Sequence, residues 1–237
     1  MRLHLSNRLP KRLLKNQRGF TLIEILVALF LMALVLAITI SSPFSSRNDL
    51  DKDVNSLERS IRFMSDEAAL KNAVVRLHLM LDRTPQEYAV EYGPSDSFIL
   101  PPTADFETTA ETKEEIEKRK KETKSLNQKF NKVQEFQDKN NEMTGEIRIV
   151  GVATSQSQKL QTEGEVSIYA FPTGEKDEAL VLVASDEDII SLKISPFSMK
   201  IDREVQPLGK GDSSDKDIAS IQQKKAKEIF EKWQKEK

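Results

Sequence analysis

Glu24 is a carboxylate placed where the sequence offers it no water. It is the only charge in the run Phe20–Ile40, twenty-one otherwise uncharged residues. A charge at mid-bilayer costs on the order of 3 kcal/mol on insertion scales, less near an end, and acids in such places are usually paired. The other candidates for chemistry are few. His4 lies in a basic leader, and His78 alternates within a strand-like stretch, where a lone histidine is more often structural or solvated than catalytic. There is no Cys, so thiol catalysis and disulfides are excluded. No phosphate-binding loop, dinucleotide fingerprint, zinc-ligand spacing or nucleophile elbow is present. Asp186-Glu187-Asp188 could suggest calcium, but an acidic turn between strands is the commoner arrangement. Neither metal nor cofactor is expected.

The elements that position Glu24 come first in the chain. Residues 1–19 carry Arg2, Arg8, Lys11, Arg12, Lys15 and Arg18 and no acid, so this leader should stay cytoplasmic. As a helix, the apolar run measures roughly 30 Å, the thickness of a bilayer core. It exceeds the ~7–15 residues of a secretory signal and lacks an A-x-A-like cleavage site. A single-pass membrane anchor fits this length better, with the remainder of the chain outside. The net charge of −2 gives no reason to expect nucleic acid as a partner.

The segment Arg18-Gly19-Phe20-Thr21-Leu22-Ile23-Glu24 before an apolar helix resembles the class III signal of type IV prepilins and pseudopilins. The resemblance implies that a prepilin peptidase cuts between Gly19 and Phe20, and that Phe20 becomes the N-methylated amino terminus. Glycine presents no side chain to obstruct the scissile peptide. Glu24, four residues on, shares a helix face with the new amine. By the same resemblance it neutralises the terminal amine of an adjacent subunit and sets the register of a filament.

Beyond Pro43, expected to kink or loosen the helix, Leu50, Val54, Leu57, Ile61, Met64 and Ala68 form one amphipathic stripe. A helix from Phe20 to about Asn72 would be roughly 80 Å long. Val75, Leu77, Leu79 and Leu81 then alternate with Arg76, His78 and Met80, which predicts a half-buried strand. "EYAVEY" and "DSFILPP" extend the strand pattern. After Gly145, "GEIRIVGVA", "GEVSIYAF", "EALVLVAS" and "DIISLKIS" read as further strands, with "SMKIDREV" as an edge. Two segments interrupt this plan. Residues 103–142 hold a charged helix with Glu114/Lys118, Glu115/Arg119 and Glu117/Lys121 pairs and a thin stripe of Ile116, Thr123, Leu126, Phe130 and Val133. It is read either as packing on the head or a partner, or as a mobile insertion. In residues 206–237 a linker precedes a helix capped by Ser214, with Ile218, Ile221, Ile229 and Trp233 roughly on one face. It could pack back on the head or offer Trp233 to another subunit.

The expected organisation is therefore α+β. It comprises leader 1–19, transmembrane helix 20–40, amphipathic helix 41–72, an antiparallel β head over 73–205 with the insertion 103–142, and a carboxy-terminal helix. "AALKNAVVRLHL" and Phe171-Pro172-Thr173-Gly174 resemble the head of H-type (GspH/FimT-like) minor pseudopilins; Phe197-Ser198-Met199 stands where that family often has Thr-Gly. The resemblance implies a structural subunit, with no enzymatic turnover, in the periplasmic pseudopilus of a type II secretion system. Its partners would be the prepilin peptidase, other pseudopilins and the inner-membrane assembly platform. The alternatives are a minor pilin of a type IV pilus or DNA-uptake system and, from another class, a membrane-anchored periplasmic enzyme.

Overall fold

The computed structural model describes residues 21–40, 43–94, 113–134, 141–155, 159–209 and 215–236. The chain divides into two compact units, one ending at Ser42 and one beginning at Pro43. The first contains α1 (Leu22–Ile40). Its apolar side chains from Leu22 to Leu34 are exposed along its length, Leu22 by 81 % and Phe30 by 64 %. Among the described residues no helix is long and apolar enough to cross a membrane. The expected anchor begins at Phe20, outside the described residues.

The second unit opens with α2 (Pro43–Lys71). Pro43 is its first residue, where a missing amide N–H costs nothing. The expected passage of one helix through Ser41 and Ser42 lies outside the described residues. The stripe Leu50, Val54, Leu57, Ile61, Met64 and Ala68 is at most 1 % exposed. Asn72 ends the helix at φ 50°, and the Ala73 N–H donates to the Ala68 carbonyl at 3.2 Å. That is the left-handed cap which asparagine tolerates better than other side chains.

The α+β class is observed, with strands that are antiparallel throughout. The head has two sheets, where the sequence suggested no division. The first sheet comprises β1 (Val75–Met80), β2 (Glu87–Tyr92), β3 (Asn131–Lys132) and β5 (Glu165–Ala170) in the order β3-β2-β1-β5. The second comprises β4 (Arg148–Thr154), β6 (Ala179–Ala184), β7 (Asp188–Ile194) and β8 (Ile201–Pro207) in the order β4-β6-β7-β8. One core joins them: the α2 stripe packs with Leu77, Leu79 and Ile168 of the first and Val181, Val183, Ile190 and Leu192 of the second. Gln86 also spans the sheets. Its Oε1 accepts the Ile149 N–H at 2.6 Å, while Nε2 donates to the carbonyls of Leu81 at 3.1 Å and Ile149 at 3.2 Å.

The second sheet is covered on both faces. Val181 and Val183 of β6 face the α2 side, whereas Leu180, Leu182 and Ala184 pack with Ile189 and with α4 (Asp215–Lys235). Strands buried on both sides lose polar alternation, as "ALVLVA" does. The tail thus packs back on the head through Ala226, Ile229, Phe230 and Trp233, and the last is only 5 % exposed. Ile218 and Ile221 of the expected face are half-buried. Gln222 ties α4 to the β6–β7 turn by donating to the Ser185 carbonyl at 2.9 Å. The expected cap at Ser214 and the stretch "DSFILPP" lie outside the described residues, as do insertion residues 103–112 and 135–140.

The expectation of a half-buried β1 is corrected. All six of its residues are buried, including Arg76 and His78. The reason lies in the insertion. After α3 (Lys113–Asn127), the chain turns, buries Phe130 and Val133 against the head, and adds β3 to the edge of β2. The part of the insertion just after α3 is structural.

Candidate functional site

Gly19, Phe20 and the leader cations lie outside the described residues, so cleavage at that junction stands as an expectation from the sequence. The structure describes the chain from Thr21 onward. The Thr21 carbonyl accepts the amide N–H groups of Glu24 at 3.0 Å and Ile25 at 3.2 Å, and its Oγ1 accepts the Glu24 N–H at 3.3 Å. Thr21 is therefore the amino-terminal cap of α1, and Glu24 occupies the third helical position. A carboxylate in the first turn is favoured by the helix dipole and by the orphan amides there. The sequence reading passed over Thr21. The signal was present as Thr-x-x-Glu before an apolar run, the spacing of a capping box.

A second concentration of polar groups lies on the face of the first sheet opposite α2. Strand pairing places Arg76 between Glu91 on β2 and Tyr169 on β5, and His78 between Ala89 and Ser167. Arg76 is 1 % exposed; its Nε and Nη2 donate to Glu91 Oε2 at 2.8 and 2.6 Å. Its Nη1 donates to Asn127 Oδ1 at 2.7 Å, and the guanidinium carbon lies 3.7 Å from the centre of the Phe130 ring. Asn127 Nδ2 donates onward to Glu165 Oε2 at 2.8 Å. The last residue of α3 and the aromatic side chain beyond it thus close over a buried cation whose desolvation would otherwise be uncompensated.

Ser167, His78 and Glu165 stand in line within this cluster. Ser167 Oγ is 3.0 Å from His78 Nδ1, and Glu165 Oε2 is 3.5 Å from His78 Nε2. The residue types match a nucleophile, a base and an orienting acid. The electrostatics do not suit that use. Burial first, then Arg76, Arg83 and Lys132, push the His78 pKa down to about 3. A base at neutral pH needs a pKa near the working pH. Glu165 is also shared with Asn127. The three residues line the seat of the insertion.

The Phe171-Pro172-Thr173-Gly174 turn lies between β5 and β6. Gly174 takes φ 84° and donates to the Phe171 carbonyl at 3.0 Å. Asp177 closes the turn, its Oδ2 accepting the Tyr169 N–H at 2.9 Å, and burial raises its pKa to about 6. Elsewhere, Asp53 of α2 accepts the Thr144 N–H at 2.6 Å and the Thr144 hydroxyl at 2.9 Å, and burial is the main cause of its raised pKa. That pair lines an open cleft of ≈ 480 Å³ with Lys52, Thr84 and Glu142. Among the described residues no group of His, Asp and Glu could hold a metal ion, including Asp186-Glu187-Asp188.

α1 is thus capped and carries an acid in its first turn, and the buried helix α2 follows it in the chain. The prokaryotic N-terminal methylation motif matches residues 14–40, spanning the end of the leader, the Gly19–Phe20 junction, Glu24 and the apolar run. The chain is type IV pilin-like over this segment, a class whose members are structural. The motif implies processing by a prepilin peptidase, assembly into pilin-like filaments, and an inner-membrane anchor at the amino-terminal helix with the head outside. No curated protein and no solved structure matches the chain.

Proposed function

We propose that the chain is a minor pseudopilin, most like the H-type subunit, in the periplasmic pseudopilus of a type II secretion system. The observation that carries this reading is the methylation motif over residues 14–40, with Glu24 in the first turn of a capped helix. After cleavage between Gly19 and Phe20, the N-methylated Phe20 amine needs a counter-charge in apolar surroundings, and Glu24 of a neighbouring subunit supplies it. Leader residues Arg2, Arg8, Lys11, Arg12, Lys15 and Arg18 keep the amino terminus cytoplasmic until cleavage. The head then stands on the periplasmic side, and its work is mechanical and interfacial. Its partners are other pseudopilins and the inner-membrane assembly platform.

Two measurements test this. The amino-terminal peptide from host membranes should have the mass of one beginning with N-methyl-Phe20; an attached Met1 leader in cells with active prepilin peptidase refutes filament assembly. Glu24→Ala should abolish co-purification with the other pseudopilins and the secretion of folded substrates. Wild-type assembly in that variant removes Glu24 from the pairing role. If deletion of the gene leaves secretion intact and instead abolishes piliation or DNA uptake, the minor-pilin reading replaces the pseudopilin one.

A further inference from the structure

Outside α1, the described residues expose four large apolar side chains, and three of them lie at one end of the head. They are Leu70, Phe197 and Met199, exposed by 77 %, 79 % and 53 %. Leu70 is in the last turn of α2. Phe197 and Met199 are in the turn between β7 and β8. This end is opposite the start of α2, where Arg47 approaches Asp188 at the beginning of β7, 3.9 Å away. The turn is held from below by Lys176, itself 3 % exposed. Its Nζ donates to the Ser198 carbonyl at 2.7 Å and its backbone N–H to the Pro196 carbonyl at 3.1 Å. The Asp66 carboxylate, one turn before Leu70, acts electrostatically on the same ammonium. Burying an ammonium is costly. Here it fixes an exposed aromatic turn in one geometry, the preorganisation that an anchor residue needs.

We propose that this end of the head is a docking surface for the head of a neighbouring pilin-like subunit, with Phe197 as the anchor. Its size bears on the occupant. Three such side chains present on the order of 300 Å² of apolar surface, the lower end of the largest patch on an ordinary monomer, which is often functional. A free, stable complex buries ~800 Å² per partner. The patch is too small to hold two free heads together. It suffices where packing of the amino-terminal helices already holds the heads at high effective concentration. The proposal rests on the filament reading given above.

The test replaces Phe197 with a photoreactive benzoyl-phenylalanine in the full-length protein, in cells that make the complete filament system. Irradiation should join position 197 to another pilin-like subunit. The yield should fall about five-fold or more with Met199→Ser, an exposed change that leaves the core alone, and with Glu24→Ala. Capture of phospholipid alone, of a protein outside the filament, or of nothing, in protein that is processed and co-isolates with other subunits, overturns the docking surface. A protein that keeps its leader overturns the filament reading instead.

Discussion

Phe130 is the residue through which the charged insertion becomes part of the fold, and its removal has a calculable consequence. The side chain is 7 % exposed and covers Arg76 at 3.7 Å. Truncating a buried Phe to Ala costs about 3–5 kcal/mol, and the lost cation–π contact accounts for about 0.5–2 kcal/mol. Against a total stability of ~5–15 kcal/mol, this is a large fraction. With a urea slope of about 2 kcal/mol/M, the midpoint should fall by about 1.5–2.5 M. Phe130→Leu keeps most of the apolar volume and should lose about 1 kcal/mol. The assay is urea unfolding of the full-length protein in mild detergent, followed by Trp233 fluorescence and by hydrogen exchange at the β1 and β5 amides. Trp233 sits on α4, across the second sheet from α2, so a matching shift there shows that the head unfolds as one unit. Arg76→Ala should cost about 3–5 kcal/mol by leaving buried Glu91 unpaired, whereas joint Arg76→Met and Glu91→Leu should be much milder. A Phe130→Ala midpoint within about 0.2 M of the parent would show that the insertion is dispensable to the head and refute this account.

The remaining predictions concern acid and the tail. His78 is neutral in the fold, its pKa near 3, whereas its ordinary value is 6.5. The unfolded chain therefore takes up the proton first, and stability should fall as pH drops from about 6.5 towards 3. His78→Gln should flatten that slope in urea titrations at pH 7, 5 and 4. Asp177 acts in the opposite sense: with its pKa raised from 3.8 to about 6, its charged form is disfavoured in the fold, so its unfavourable contribution grows as pH rises from about 4 through 6. Asp177→Asn should accordingly be neutral to stabilising at pH 7. Trp233→Ala should cost about 3–5 kcal/mol, read as a lower thermal midpoint by circular dichroism. An unchanged midpoint would mean that α4 contributes nothing to the head.

Much of this fold was legible before any coordinates. The α2 stripe was readable because a helix buried along one side must repeat at 3.6 residues. The strands after Gly145 were readable from length and bounding turns. The division into two sheets was not, because strand order depends on contacts between residues far apart in sequence, such as Leu77 and Val181 against one α2. Arg76 and His78 misled for a related reason. Alternating polar residues predict a wet face, and only the pairing of Arg76 with Glu91, Asn127 and Phe130 keeps that face buried.

By itself, the sequence determined the pattern on which the proposed amino-terminal device rests: a run of basic residues, Gly19-Phe20, an acid four residues on and an apolar run. Each is local, and its chemistry depends on residue type and spacing along one helix. Only the tertiary structure decided what the two added segments do. Residues 126–133 and α4 carry too few apolar side chains to declare a destination. Their roles emerge where Phe130 meets a buried guanidinium from β1 and Trp233 meets the outer face of β6 and β7. Those contacts join residues separated by more than forty positions, and their stabilisation comes from surfaces that folding alone brings together.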